Sequence, residues 1–215
     1  MPENSYWDLT KRNWKEYFTE NAFLFEFVVT FVLITTILIS FSHFINAVEA
    51  RNGVQLNDPL LKLFNPVDLS GFIFGIIYFS IIIGIISLLN DPAKLIFALQ
   101  VYSVMMIIRI ATLYLVPLNA PEKMIPLVDP IVQKIGTGQL LTKDLFFSGH
   151  TATMFLLFLV ITNKKLKVIF FSCFVIVAAA VLIQHVHYTI DVIAAPFFTY
   201  AAYRIVLLIK QKYQS

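Results

Sequence analysis

The chain has 215 residues, of which 59% are hydrophobic, 15% aromatic and 13% charged, with a mean hydropathy of +0.80 and a net charge of +3. Soluble domains are about 45–50% apolar and about 25% charged, so an ordinary globular protein is excluded, and the 21 phenylalanines exclude a disordered, collagen-like or coiled-coil chain. A single cysteine, Cys173, excludes a disulfide within the chain and a multi-cysteine metal site, and no basic run is dense enough for nucleic acid.

Residues 1–20 carry mixed charge and set Trp7, Trp14 and Phe18 on one helical face, with Lys11, Arg12 and Lys15 elsewhere. That pattern predicts an amphipathic helix lying in the membrane interface and anchored by its aromatics. Residues 21–215 form the second unit, a membrane domain. A spanning helix needs roughly 20 mostly apolar residues, and six stretches qualify: 22–44, 71–89, 95–118, 145–162, 168–184 and 188–209. The predicted fold is therefore an all-α integral membrane protein with six transmembrane helices. Ala47-Val48-Glu49-Ala50 loosely suggests a signal cleavage site. The apolar core before it is far longer than the roughly 7–15 residues of a signal, so the first span is read as a retained anchor. Polar breaks separate the spans at Asn90-Asp91-Pro92, at Asn163-Lys164-Lys165 and around His185 and His187. Two longer connections, about 42–70 and 119–144, have room for further structure. Cys173, among Phe170, Phe171, Phe174 and Val175, reads as buried core filler.

Lysine and arginine counts set the expected orientation. With the N-terminus inside, the inner segments hold Lys11, Arg12, Lys15, Lys94, Lys164, Lys165, Lys167, Arg204, Lys210 and Lys212. The outer segments hold Arg51, Lys62, Lys123, Lys134 and Lys143. Ten against five predicts both termini in the cytoplasm, with the long connections and the link between spans five and six outside.

Ionisable side chains within spans are costly, so each is a functional candidate. They are Glu26, Arg109, His150, Asp191 and Arg204, with His185 and His187 at a span boundary. Arg204 is near the inner end and can snorkel, while Glu26 and His43 read as interfacial. His185-Val186-His187 would ligate a metal only with further partners, and no carboxylate–histidine cluster completes it, so no metal is expected. Arg109, His150, His187 and Asp191 remain, all toward the outer side. Arg109 lies about nine residues, roughly 13 Å at helical rise, from the outer end of its span. His187 and Asp191 are four apart and share a helical face. A carboxylate one turn from an imidazole can accept its Nδ1 proton and leave Nε2 as nucleophile or base. Together the four amount to a nucleophile, an acid, an orienter and an anion clamp. The alternative is a polar cluster that staples helices.

At these residues the sequence resembles the type 2 phosphatidic acid phosphatase superfamily, and within it the sphingomyelin synthase-like branch. Three blocks carry the resemblance. Arg109-Ile-Ala-Thr112-Leu-Tyr114 runs on to Leu118 and Pro121; Asp144-Leu-Phe-Phe147-Ser148-Gly149-His150-Thr151 matches the branch's Asp-x-x-Phe-Ser-Gly-His-Thr. His185-Val-His187-Tyr188-Thr189-Ile190-Asp191-Val192 is similar to its His-x-His-Tyr-Thr-x-Asp-Val, and Leu56-Asn57-Asp58 is a fainter likeness to a Leu-Pro-Asp block. The resemblance extends over roughly residues 56–200 with six spans in the same order; Ser-Gly-His alone would be a weak signal.

Carried over, the resemblance implies His187 as nucleophile, Asp191 as its orienter, His150 as general acid and then base, and Arg109 as holder of the phosphate oxygens. It implies further substrate contacts at Tyr114, Asp144, Ser148, Gly149 and Tyr188, and no cofactor. Conventional lipid phosphate phosphatases have a Lys-x6-Arg-Pro block, Pro-Ser-Gly-His where this chain has Phe147-Ser148-Gly149-His150, and an arginine where it has Val181. Members of the branch typically have a second arginine where this chain has Ile108. One fixed cation suits a singly charged phosphodiester better than a dianion. The expected activity is thus that of a membrane-embedded lipid phosphotransferase or phosphodiesterase, working on a lipid in the bilayer through a phosphohistidine. The alternatives are a phosphatase for lipid monophosphates or isoprenoid pyrophosphates, and a non-enzymatic lipid-binding scaffold. The short chain lacks the large soluble appendages of eukaryotic synthases. It points to a bacterial inner-membrane enzyme with its site facing the periplasmic or exoplasmic side.

Overall fold

Each polar break in the hydropathy ends one helix and starts the next for a local reason. Asp91 caps a helix by accepting from the Lys94 amide at 3.1 Å, with Pro92 in the first helical position where a missing N–H costs nothing. Asn163 does the same for the amides of Lys165 and Leu166 at 3.0 and 3.2 Å. The computed structural model describes residues 5–128 and 141–214. Among these, the helices are α1 (Tyr6–Tyr17), α2 (Asn21–Ala50), α3 (Ser70–Leu88), α4 (Pro92–Leu115), α5 (Gly149–Val160), α6 (Lys164–Ile183) and α7 (Thr189–Gln214), with a short 3-10 turn at Leu61–Leu63. Lys134, counted among the outer lysines, lies outside the described residues.

Five helices, α2, α3, α4, α6 and α7, are long and apolar enough to cross a membrane. The expected span 145–162 is not a sixth of that length. Its helix, α5, has only 12 residues and rises about 18 Å, against a hydrocarbon core of about 30 Å. Residues Leu145 to Ser148 run before it as non-helical backbone. Such backbone survives at depth only if protein satisfies its polar groups. Here Phe146 O accepts from Thr112 Oγ1 at 3.3 Å, Phe147 O from Arg109 Nη1 at 3.1 Å, and the Ser148 amide donates to Asp191 O at 3.2 Å.

The two ends of the bundle differ. At one, α1 docks on the α3–α4 turn: Tyr6 OH donates to Ile86 O, Asn13 Nδ2 to Asn90 O at 2.8 Å, and Trp14 Nε1 to Leu89 O at 2.8 Å. The start of α2 and the end of α7 meet at that same end through Lys210 and Glu26 at 2.6 Å, so both terminal segments lie there. At the other end the long connections are tied together. Val54 bridges Leu118, the Val67 amide donates to Ile183 O, and the Ile125 amide to Gln184 O. Gln184, fully buried at the end of α6, donates to Ser70 Oγ and Ile125 O and accepts from the Leu69 amide.

The core lies where α4, α5 and α7 meet, and Ala152, Ala195 and Ala202 are fully buried there. Lipid tails are as apolar as leucine, so helices associate through close packing, and small residues permit it. Phe25, Phe31, Phe79 and Phe197 are 60–72% exposed on the outer faces, as lipid-facing residues should be. Cys173 packs half-buried against the core.

Candidate active site

The site begins with α7. Its first residue, Thr189, has its amide held by Asp58 Oδ2 at 2.6 Å, a cap supplied by the connection before α3. Asp58 also accepts from Thr189 Oγ1 and the Leu60 and Leu61 amides. Burial pushes the Asp58 carboxyl up, but those hydrogen bonds outweigh it and hold the pKa below the usual value. Two residues on, Asp191 is fully buried, and its Oδ2 accepts from the Tyr188 amide at 3.0 Å. This is half of a capping box. The same oxygen lies 3.4 Å from His187 Nδ1, one turn earlier, and His187 is 1% exposed.

Ser148 caps α5, its hydroxyl accepting from Thr151 N at 3.4 Å and Thr151 Oγ1 at 3.0 Å. The next residues follow from that start. Gly149 lies against the Arg109 guanidinium so closely that a Cβ there would fall 2.3 Å from Nη1. His150 projects from the first turn with its ring centroid 6.1 Å from that of His187 and 5.9 Å from Phe74. Arg109, 3% exposed on α4, donates from Nη2 to Asp144 Oδ1 at 2.5 Å and sits 5.7 Å from the Phe41 ring.

A cavity of about 440 Å³ opens from these groups. Arg109, Asp144, Gly149 and His150 line one end; beyond them, apart from Tyr102 and Thr153, its walls are apolar, through Met105, Ala98 and Leu157 to Leu95 and Leu88. Along α4 the distance from Arg109 to Leu95 is about 21 Å of helix. Ile34 and Phe41 of α2 face Ile77, Ile81 and Ile85 of α3 across it. The two helices flank the cavity while α2 makes its main contacts with α4.

The structure thus brings Arg109, Asp144, Gly149 and His150 to one cavity, with Ser148, His187 and Asp191 buried directly behind. It does not bring Tyr114 there: that side chain is 69% exposed on the last turn of α4. Tyr188 is turned the other way, its hydroxyl donating to Asn119 O at 2.9 Å and accepting from the Leu56 amide at 3.2 Å. It lines a separate polar pocket of about 340 Å³ with Asp58 and His185.

Residues 143–207 match the family model described as PAP2 superfamily C-terminal. The matched stretch holds Asp144, Ser148, Gly149, His150, His187 and Asp191; Arg109 and helices α1–α4 precede it. The match names the superfamily and not a branch within it. No curated protein and no solved structure matches the chain. Sequence reasoning missed Glu49 and Gln184. Glu49 lies at the end of α2 and Gln184 just after α6, and their partners are 59 or more residues away in the sequence, so only tertiary structure supplies them.

Proposed function

We propose that this protein is a membrane enzyme that breaks a lipid phosphodiester and passes the phospho-headgroup to an alcohol or to water through a phosphohistidine. The observation that carries the reading is the cavity. One end presents a guanidinium, a carboxylate and an imidazole, and the rest, apart from Tyr102 and Thr153, is lined by apolar side chains. A leaflet's share of the hydrocarbon core is about 15 Å, so a cavity running about 21 Å along α4 takes a whole acyl chain. The superfamily match points to chemistry on lipid phosphates in general. The charge at the polar end supports a diester. Arg109 is already paired with Asp144, so it offers donors to a phosphate without net positive charge, which suits a monoanion better than a dianion.

In this reading His187 Nε2 attacks phosphorus while Asp191 holds the Nδ1 proton and stabilises the charge that develops on the ring. The P–O bond to the leaving alcohol breaks as His150 gives that oxygen its proton. In the second half His150 removes a proton from the acceptor hydroxyl, whose oxygen attacks the phosphohistidine and frees His187. Arg109 holds the non-bridging oxygens throughout; catalysis rests on positioning and electrostatics more than on covalent complexity. Ser148 and Gly149 shape the turn that presents His150. The site lies on the periplasmic or exoplasmic side, and α1 lies in the cytoplasmic interface. The test is product analysis by mass spectrometry, with purified protein in detergent and a panel of phospholipids and acceptor alcohols. The reading expects a phospho-headgroup transferred or released from a diester. Inorganic phosphate released from monoesters or pyrophosphates, with diesters untouched, would replace it with the phosphatase reading.

A further inference from the structure

The end of α2 holds a carboxylate that the reaction above does not use. Glu49 Oε1 accepts from the amides of Thr142 and Lys143 at 2.7 and 2.6 Å, and Oε2 from Thr142 Oγ1 at 2.9 Å. Two residues on, Arg51 donates through Nη1 to Tyr114 O at 3.0 Å and through Nη2 to Leu113 O, closing the last turn of α4. Lys143 Nζ returns to Arg51 O at 2.6 Å. Beneath them Ile45 and Val48 of α2 pack on Leu113 of α4, with Leu141 at the edge. One turn of α2 therefore grips both the end of the helix that carries Arg109 and the two residues before Asp144. Those are the two members of the ion pair at the polar end of the cavity.

From this we infer that Glu49 is a positioning residue for the phosphate-binding site: it fixes the backbone at Thr142 and Lys143, and so the place of the Asp144 carboxylate against Arg109. The inference rests on the proposed role of Arg109 in holding phosphate. The physical case is that a carboxylate accepting three hydrogen bonds restrains a segment far more tightly than neutral contacts do. Asp144 follows that segment immediately, and Arg109 spends one of its N–H groups on it. Glutamine at position 49 can keep its oxygen on the two amides and its NH2 on the Thr142 hydroxyl, but it loses the charge that strengthens the bonds from Thr142 and Lys143. Asp144 is then left with a looser tether and Arg109 with a displaced partner.

The experiment uses the full-length protein in detergent and two readouts. The first is amide hydrogen exchange over the peptide spanning residues 141–146. Glu49→Gln should raise its exchange about tenfold or more, with peptides from α3, α4 and α6 unchanged; Thr142→Val, which removes one hydroxyl donor, should raise it less. The second is steady-state kinetics on the lipid phosphodiester that the enzyme turns over best. Glu49→Gln should raise KM about tenfold with a smaller change in kcat, and the Glu49→Gln, Asp144→Asn double variant should be no worse than Asp144→Asn alone. Unchanged exchange at 141–146, or losses that multiply in the double variant, would overturn the inference. General loss of protection in Glu49→Gln passes the exchange test to Thr142→Val, where an unchanged 141–146 peptide counts against it equally. Absence of turnover on any lipid would count against the proposed function, and the exchange result would still decide whether Glu49 fixes this segment.

Discussion

Asp191 serves two purposes with one oxygen. Oδ2 accepts from the Tyr188 amide at 3.0 Å as a helix cap and stands 3.4 Å from His187 Nδ1. The spacing of four was legible in the sequence because it follows from helical geometry alone, whereas the capping role depends on where α7 starts. Arg109 was legible as a costly buried cation, but its partner was not: Asp144 lies 35 residues away, and nothing local links them. Gly149 tests that closeness directly. Alanine is the better helix former by about 1 kcal/mol, yet its Cβ would fall 2.3 Å from Arg109 Nη1. Gly149→Ala should therefore keep or raise thermal stability only if Arg109 moves, and turnover should fall at least about tenfold, as expected when a charge-stabilising donor is displaced. Full activity in that variant, measured on the best lipid substrate, would mean Arg109 does not hold the phosphate.

A second residue-scale consequence concerns pH. His185 sits in the α6–α7 link with φ 58°, buried, its ring 5.2 Å from Phe64. Burial pushes its pKa below the usual 6.5, Lys123 pushes it further down, and Asp58 opposes both. The folded protein thus disfavours the protonated form. Stability is undiminished above pH 6.5 and is lost as pH falls from there through the lowered folded pKa. Asparagine tolerates the left-handed backbone and does not titrate. His185→Asn should therefore flatten the decline in melting temperature below pH 6.5, read by a thermal-shift series in detergent. An unchanged slope would assign the decline to other groups.

At the scale of elements, the six apolar runs were legible from hydropathy, and five became helices of spanning length. In the sixth the helix is shorter than the run, because hydropathy does not distinguish extended from helical backbone. Leu145, Phe146 and Phe147 are as apolar as α5 itself, so the run 145–162 looked continuous. What decides the boundary is polar satisfaction: Ser148 caps α5, and Arg109, Thr112 and α7 take the polar groups of the segment before it. That short helix lines the cavity together with α2, α3 and α4. Ala98 is 7% exposed on its wall, one turn from Leu95 and about 16 Å of helix from Arg109. Ala98→Phe should fill the cavity and reduce kcat/KM for long-chain lipids about tenfold or more, while a short-chain phosphodiester that does not reach this depth keeps its rate. A comparable loss on both substrates would show that the cavity does not hold the acyl chain.

For the whole molecule, the polar site and the long connections share one end of the bundle, and both terminal segments share the other. The lysine and arginine balance predicts that the terminal end is cytoplasmic. In a Cys173→Ser background, an impermeant thiol reagent should label Lys123→Cys in intact cells and leave Lys164→Cys untouched until the membrane is opened. The reverse pattern would turn the site toward the cytoplasmic leaflet.

In the proposed mechanism His187 forms the bond to phosphorus while His150 handles the proton. That division of roles is tested most directly by comparing the two variants on a lipid diester and on a nitrophenyl phosphodiester, whose leaving group needs little protonation. His150→Gln should lose about 10²–10⁴-fold on the lipid and recover much of that on the nitrophenyl substrate. His187→Gln should remain inactive on both, because no leaving group replaces a missing nucleophile. Recovery of the His187 variant with the His150 variant still inactive would contradict the account and reverse the two roles.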